Sequence, residues 1–234
     1  MAESRIAVVT GAAGGIGQAV CRRYLGSGYR VVGLDIDGAG LAALGDAVEQ
    51  MTVDLTDAET ADRVVSELGD IDVLIHCAGI TSLGPFAETP PAAFDRVLAV
   101  NLRSAVTTTR AALPGLIAVG GRIGVLSSVS GFSPLLYRTA YAASKHALHG
   151  FFESLRAELV DDGVTVTMIC PSFVETGIEE RAAHRGSGIS GTWTTTGKVI
   201  SPDHLADLVY RSMDRRARLV LPSATARLAY VLSR

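Results

Sequence analysis

Short apolar runs alternate with amphipathic segments along the whole chain. The first run, Ile6–Val9, is continuously apolar, as expected of a parallel strand that is buried on both faces. The segments between such runs repeat apolar side chains at helical spacing. Because strand and helix patterns alternate seven times, we predict one α/β domain, residues 1–234, doubly wound around a parallel central sheet.

The same pattern gives approximate bounds for several elements. It predicts a helix near Ala39–Val48, one long helical region near Ala92–Val119 and a last helix near Pro202–Met213. The apolar stretch Ala226–Leu232 is predicted only as a segment that could pack against a second subunit.

Composition and charge exclude several classes of protein. The chain has 234 residues, is 48% hydrophobic and carries a formal net charge of −3. The chain therefore lacks the excess of positive charge expected of a protein that binds nucleic acid or an anionic membrane. No apolar run reaches the length of a membrane span. The start of the chain lacks a signal-peptide pattern, so we expect a cytoplasmic protein. Cys21, Cys77 and Cys170 are widely spaced, which predicts free thiols and no metal site.

A glycine-dense turn, Thr10–Gly17, joins the first predicted strand to the first helix. Such a turn lets the backbone approach a phosphate group, and the helix N-terminus adds unpaired N–H groups and partial positive charge. Asp35 follows the second strand, 18 residues beyond Gly17, near the spacing at which an acid meets the ribose hydroxyls of NAD. A carboxylate there disfavours the 2′-phosphate of NADP. The other interpretation of Asp35 is a loop acid that caps the next helix, a task that Asp37 could also perform.

Further polar or glycine positions follow the ends of other predicted strands. They are Asp54, Ala78–Gly79, Ser128 and Pro171. Because the carboxyl ends of parallel strands share one edge of a sheet, we expect these positions to converge on one crevice.

The helix after Thr139 carries a lysine where a charge is hard to tolerate. At helical spacing, one narrow stripe collects Tyr141, Lys145, Leu148, Phe152, Leu155 and Leu159. Burying an ammonium group among apolar side chains is costly unless it has a partner or a task. A cation one turn from a phenol favours the phenolate, so Lys145 is expected to lower the pKa of Tyr141 and make it a useful acid or base. The other interpretation of this pair is a chance spacing.

Five motifs in order resemble those of the short-chain dehydrogenase/reductase family. Thr10–Gly17 resembles the family's Thr-Gly-x-x-x-Gly-x-Gly turn, and Tyr141-x-x-x-Lys145 resembles its catalytic pair. Ser128, 13 residues before Tyr141, is placed like the family's serine and belongs to the same catalytic motif, and Asn101 matches the family's helix asparagine. The remaining similar motifs are Asp54-Leu55 at the adenine and Pro171–Thr176 at the nicotinamide.

The resemblance implies a Rossmann-type fold and hydride transfer between NAD and a secondary alcohol or ketone. The catalytic residues that it implies are Asn101, Ser128, Tyr141 and Lys145. Tyr141 would exchange the proton, Ser128 would bind the substrate oxygen, Lys145 would hold the ribose, and Asn101 would anchor a water. The implied cofactor-binding residues are Gly11, Gly15, Ile16, Gly17, Asp35, Asp54, Leu55, Cys77, Ala78, Gly79, Asn101, Tyr141, Lys145, Pro171, Val174 and Thr176. Taken singly, Ser128 could instead cap a turn and Asn101 could satisfy helix backbone.

The chain departs from the family pattern at two places. His76-Cys77 stands where the family usually has two asparagines, and Ser172 replaces the glycine after Pro171. We expect His76 to be a core or strand-end residue rather than a catalyst.

The resemblance also implies a mobile substrate lid, at about Gly177–Ile200, although the segment could be a plain surface loop. Apolar candidates for the substrate pocket are Phe132, Leu135, Leu136, Tyr137, Phe173 and Trp193. They favour an apolar alcohol or ketone, and relatives imply a homodimer or homotetramer. One alternative is a non-catalytic NAD-binding sensor or scaffold. An epimerase or dehydratase is another, but such relatives usually have a larger C-terminal domain.

Overall fold

The computed structural model describes residues 5–178, 182–184, 186 and 199–233. In this part of the chain, seven strands form one parallel sheet in the order β3-β2-β1-β4-β5-β6-β7. The strands are β1 Ile6–Thr10, β2 Arg30–Asp35, β3 Glu49–Thr52, β4 Val73–His76, β5 Arg122–Leu126, β6 Thr165–Ile169 and β7 Leu219–Val220. The chain winds outward from β1 in both directions, which confirms the doubly wound α/β fold.

Helices cover both faces of the sheet. They are α1 Gly15–Leu25, α2 Gly38–Ala42, α3 Ala58–Ser66, α4 Pro91–Leu98, α5 Ser104–Val119, α6 Thr139–Glu158, α7 Pro202–Asp214 and α8 Ala224–Leu232. One apolar cluster packs α1, α2 and α7 against the sheet, and a second packs α3, α5 and α6 against the other face. The central strands β1 and β4 are therefore buried on both sides, which explains their apolar sequences.

The predicted stripe on α6 is the buried face of that helix. Tyr141, Lys145, Leu148, Phe152 and Leu159 are buried, and Leu155 is partly buried against the same core. Burial of this stripe fixes the rotation of α6 about its axis, and so directs Tyr141 and Lys145 inward rather than to solvent.

Three elements differ from the sequence-based bounds. The helix predicted near Ala39–Val48 ends at Ala42, because Gly45 adopts a φ of 75° that turns the chain away. The long helical region is divided by a π-helical turn, Ala99–Arg103, between α4 and α5. The stretch predicted only as an apolar segment is helix α8, whose N-cap Ser223 accepts a hydrogen bond from the Ala226 N–H at 3.0 Å.

The ends of the two central strands, β1 and β4, determine where the candidate site lies. β1 pairs with β4 in a register that aligns Thr10 with His76, so the glycine turn after β1 lies beside Cys77–Gly79 after β4. Winding reverses between these two strands, and ligands of open α/β sheets bind at such a switch point.

Candidate functional site

The glycine turn after β1 is packed too closely for side chains. Gly11 has a φ of 66°, and a Cβ on it would lie 2.5 Å from the Ala78 backbone nitrogen. A Cβ on Gly17 would overlap the Gly11 carbonyl oxygen. The turn therefore lets the first turn of α1 and the loop after β4 approach each other, and it leaves the helix N-terminus open toward the crevice.

A groove runs along the carboxyl edge of the sheet and encloses about 980 Å³, part of it open to solvent. Eleven of the predicted cofactor residues line it: Gly11, Gly15, Ile16, Gly17, Asp35, Asp54, Leu55, Cys77, Ala78, Gly79 and Thr176. The other five predicted residues lie outside this lining: Asn101, Tyr141, Lys145, Pro171 and Val174. The groove also has lining residues that the sequence did not suggest, including Arg96 and Ile80.

Asp35 lies at the end of β2 on the rim of the groove. Its two oxygens accept hydrogen bonds from the backbone N–H groups of Ala13, at 3.0 Å, and Asp37, at 3.1 Å. The carboxylate thus ties the glycine turn to the β2 end. Asp37 caps α2 by accepting a hydrogen bond from the Gly40 N–H at 3.0 Å, so helix capping falls to Asp37 and not to Asp35.

Asn101 sits in the π-helical turn and joins three elements. Its Nδ2 donates to the Ile80 carbonyl oxygen at 3.0 Å and to Ser144 Oγ at 2.9 Å, while its Oδ1 accepts from the Ile80 N–H at 2.8 Å. The amide therefore does not satisfy its own helix. It fixes the loop after β4 against α6, and π-turns are often found where such a side chain must be re-aimed.

Ser128, Tyr141 and Lys145 are buried next to one another behind the groove. Ser128 Oγ accepts a hydrogen bond from the Ser130 N–H at 3.1 Å and so caps the 3₁₀ turn Val129–Gly131. Lys145 Nζ lies 5.5 Å from the centroid of the Tyr141 ring and donates to the Leu126 carbonyl oxygen at 2.7 Å. The ammonium therefore has a polar partner inside the core.

The pKa values of this pair differ from the sequence-based expectation. Burial raises the pKa of Tyr141, and the hydrogen bond with Ser128 and the Arg138 charge only partly oppose this effect. Burial also lowers the pKa of Lys145 to about 8.

A Cβ on Gly79 would meet two catalytic candidates. It would lie 3.5 Å from Asn101 Oδ1 and 3.7 Å from Lys145 Nζ. A side chain at this position would fill the space in front of both groups. Gly79 therefore connects the groove with the cluster of Ser128, Tyr141 and Lys145.

His76 is buried at the end of β4, as expected of a core or strand-end residue. Its Nε2 is 2.8 Å from Thr109 Oγ1, and its ring packs against Phe152. Burial lowers its pKa to about 3, so the ring is neutral at ordinary pH. Beside it, burial raises the pKa of the Cys77 thiol, which keeps this groove residue protonated.

One part of the expected lid, around Ala183, His184 and Gly186, is docked on the loop after β4. Three backbone hydrogen bonds of 2.7–2.8 Å join Thr81 and Leu83 to Ala183, His184 and Gly186. The remaining positions of the expected lid, 179–181, 185 and 187–198, including Trp193, lie outside the described residues. Among the expected pocket residues, Leu135, Leu136 and Tyr137 are exposed, whereas Phe132 packs against the Tyr230 ring of α8.

Gly84 makes this docking possible, and Gly84→Ala is expected to release it. Gly84 has a φ of 152°, and a Cβ there would lie 3.0 Å from the Gly186 nitrogen. We expect the Ala183 and Gly186 amide protons to exchange roughly tenfold faster in the variant, because strain and crowding favour the undocked state. Residue-resolved hydrogen exchange measures this.

Gly45→Ala is the matched control. Gly45 also has a positive φ, 75°, but a Cβ there meets nothing within 4 Å. It should leave exchange at Ala183 and Gly186 unchanged. Equal exchange in the Gly84 variant and the original protein would contradict a docking role for Gly84.

Similarity to known proteins identifies the family to which the chain belongs. A family model described as short chain dehydrogenase matches residues 5–186. The chain belongs to the short-chain dehydrogenase family. The family is one of oxidoreductases, and its fold binds a nicotinamide cofactor. The resemblance stated from the five motifs is therefore confirmed.

Three similar proteins illustrate the range of the family. The probable oxidoreductase EphD of Mycobacterium tuberculosis (strain ATCC 25618 / H37Rv) is 35% identical over 93% of this chain, which spans 41% of that protein's length. The 1-deoxy-11-beta-hydroxypentalenate dehydrogenase of Streptomyces exfoliatus is 35% identical over 97% of this chain and 86% of that protein. A short-chain dehydrogenase of Burkholderia cenocepacia J2315, in complex with NADP, superposes with a TM-score of 0.85 at 26% identity, covering 98% and 92% of the two chains.

The described residues form neither a metal-binding cluster nor a membrane-spanning helix. Within the described residues, no group of three or more His, Cys, Asp or Glu side chains is arranged to hold a metal ion. No helix in the same part of the chain has the length and apolar character needed to span a bilayer.

Proposed function

We propose that the protein is an NAD(H)-dependent oxidoreductase that interconverts a secondary alcohol and a ketone. The observation that supports this most strongly is the burial of Ser128, Tyr141 and Lys145 together, with Lys145 next to Gly79 of the groove. A sensor that only binds a dinucleotide has no need of a proton donor there.

The groove has features that suit a nicotinamide dinucleotide. The open N-terminus of α1 and the turn at Gly11 suit a pyrophosphate, and Gly79 leaves space for a ribose in front of Lys145. Thr176 lines the groove, and with Pro171 and Val174 it is proposed to hold the nicotinamide end. The bound cofactor would supply or accept the hydride.

The proposed proton chemistry belongs to the chain's own side chains. Tyr141 Oη would give its proton to the substrate oxygen during reduction, and take it back during oxidation. Ser128 Oγ would donate a hydrogen bond to the same oxygen and stabilise developing charge. Lys145 would hold the ribose and, with its pKa of about 8, remain available to replace the proton. Asn101 would orient a water between Lys145 and solvent.

NAD is proposed as the preferred cofactor because acids occupy the β2 end of the groove. Asp35 and Asp37 both line it, and like charges there oppose a 2′-phosphate. Asp35→Asn keeps an oxygen for the hydrogen bond from Ala13 while removing the charge. We expect the ratio of the NADP to the NAD dissociation constant to fall about tenfold. Titration calorimetry with both cofactors measures this ratio.

Asp161→Asn is a suitable control for charge alone, since Asp161 lies in the exposed turn after α6. It should leave the ratio of dissociation constants unchanged. An unaltered ratio in the Asp35 variant would show that this carboxylate does not select the cofactor.

For the substrate we propose a chemical class, and for the assembly a homo-oligomer. An apolar alcohol or ketone fits the exposed Leu135, Leu136 and Tyr137 beside α6. A homodimer or homotetramer would cover apolar side chains of α8, where Leu232 is 77% exposed. The three free cysteines suit the reducing cytoplasm.

The test is a two-step measurement on the purified protein. Fluorescence titration with NADH should show saturable binding, and apolar ketones should then cause loss of the absorbance of the reduced nicotinamide. Absence of binding to either nicotinamide dinucleotide would contradict the proposal. Binding without turnover across a broad panel of ketones and alcohols would favour the non-catalytic sensor.

A further inference from the structure

The adenine end of the groove has a single cationic side chain among its described lining residues. This residue is Arg96 of α4, and the other charged lining residues are Asp35, Asp37 and Asp54. Its side chain is exposed rather than held in the core. A groove that is to take up an anionic dinucleotide therefore has three carboxylates and one guanidinium.

Arg96 links two elements on either side of that end of the groove. Its Nη1 donates a hydrogen bond to Thr56 Oγ1 at 3.2 Å, and Thr56 Oγ1 donates to Asp54 Oδ1 at 2.7 Å. Within the described residues, Thr56 is the one hydrogen-bond partner of the guanidinium. Its remaining N–H groups and its flat face are therefore not used by the described part of the protein.

The surroundings suit a flat aromatic ring with polar edges. The apolar lining residues near Asp54 and Arg96 are Val53, Leu55, Ile80 and Val100. Partial burial raises the pKa of Asp54, but the hydrogen bonds from Thr56 and the Arg96 charge bring it below its usual value. Asp54 is therefore ionised and available to accept a hydrogen bond from a ring amino group.

We propose that Arg96 binds the adenine ring of the cofactor through the flat face of its guanidinium, anchored by Thr56. Arginine stacks on aromatic rings through a planar, delocalised cation that lysine lacks. The proposal rests on nucleotide binding in the groove, as proposed above. It adds a residue on α4 to a binding surface whose other charged side chains, Asp35, Asp37 and Asp54, follow β2 and β3.

The test separates the two halves of the dinucleotide without requiring turnover. Calorimetry would measure ADP-ribose and nicotinamide mononucleotide binding to the protein and to Arg96→Ala, Arg96→Lys and Arg110→Ala. We expect Arg96→Ala to weaken ADP-ribose binding about three- to fivefold and to leave nicotinamide mononucleotide unaffected. Arg96→Lys should restore only part of the loss. Arg110 is an exposed arginine on α5, and its replacement should change neither ligand.

A hypoxanthine analogue of ADP-ribose separates a direct contact from an effect through Asp54. Hypoxanthine lacks the amino group but keeps the flat ring, so Arg96→Ala should weaken both ligands by the same factor. Asp54→Asn should instead change the ratio of the dissociation constants of ADP-ribose and its hypoxanthine analogue. If Arg96→Ala and Asp54→Asn changed this ratio of dissociation constants equally, the proposal would be overturned, because Arg96 would then act only by positioning Asp54.

Nucleotide binding in the groove and the role of Arg96 would be contradicted by different results. If the unaltered protein binds neither ADP-ribose nor NAD, the nucleotide function itself is wrong. If it binds ADP-ribose and the Arg96 variants bind with the same affinity, only the role of Arg96 is overturned. Full restoration by lysine would likewise overturn it, because charge alone would then suffice.

Discussion

Tyr141→Phe is expected to lower turnover by about 10²- to 10⁴-fold while leaving NADH binding intact. The change removes only the hydroxyl group that would exchange a proton with the substrate. The buried ring remains, and so does the packing of α6 against the sheet. Steady-state kinetics with an accepted ketone and fluorescence titration with NADH measure the two effects separately.

Tyr24→Phe is the matched control for loss of a buried phenol hydroxyl. Tyr24 lies in α1, and its hydroxyl is 3.5 Å from Met213 Sδ of α7. Because this contact is on the other face of the sheet, turnover should remain within about twofold of the original. A Tyr141 variant that also kept its turnover would remove the proposed proton donor.

Gly11→Ala is expected to destabilise the whole domain and abolish dinucleotide binding. The residue would have to adopt a φ of 66°, and its Cβ would lie 2.5 Å from the Ala78 nitrogen. Left-handed strain and backbone overlap together cost about 3 kcal/mol or more, which lowers the melting temperature by about 10 °C in a chain of this size. Calorimetric melting and NADH titration check both parts of this expectation.

Gly28→Ala separates strain from crowding. Gly28 has a φ of 80°, but a Cβ there meets nothing within 4 Å. We expect it to cost only about 1 kcal/mol and to leave NADH binding unchanged. Equal melting temperatures for the Gly11 and Gly28 variants would show that crowding between Gly11 and the loop after β4 does not affect the stability of the domain.

Much of the architecture is readable from the sequence because it follows from burial. Continuously apolar strands such as Ile6–Val9 require helices on both faces, and the α6 stripe predicts which side of that helix faces inward. The edge at which Asp35, Asp54 and Gly79 meet follows from parallel strands alone. These features depend on residue type and spacing, which are visible without coordinates.

Other features depend on contacts between distant segments and are not visible in this way. Ala99–Arg103 contains ordinary helix-forming residues, so nothing local indicates the π-turn around Asn101. Arg96 is an exposed arginine on a helix, and only the position of Thr56 across the groove gives it significance. The partner of Lys145 is a main-chain carbonyl at Leu126, 19 positions earlier, which no side-chain pattern indicates.

The start of α8 has a local signal in the sequence. Ser223, three residues before Ala226, is an N-cap residue type, and it marks the start of α8. An apolar stretch after a serine is therefore typical of a short helix, whether or not it also packs against a second subunit.

The amide of Asn101 makes three hydrogen bonds within the protein, two with the Ile80 backbone and one with Ser144. The loop after β4 and helix α6 are thus held together as the polypeptide folds, and the entropy of ordering them is lost at that stage. An arriving dinucleotide need not supply that free energy again, so more of its intrinsic affinity remains for holding the reactants in alignment.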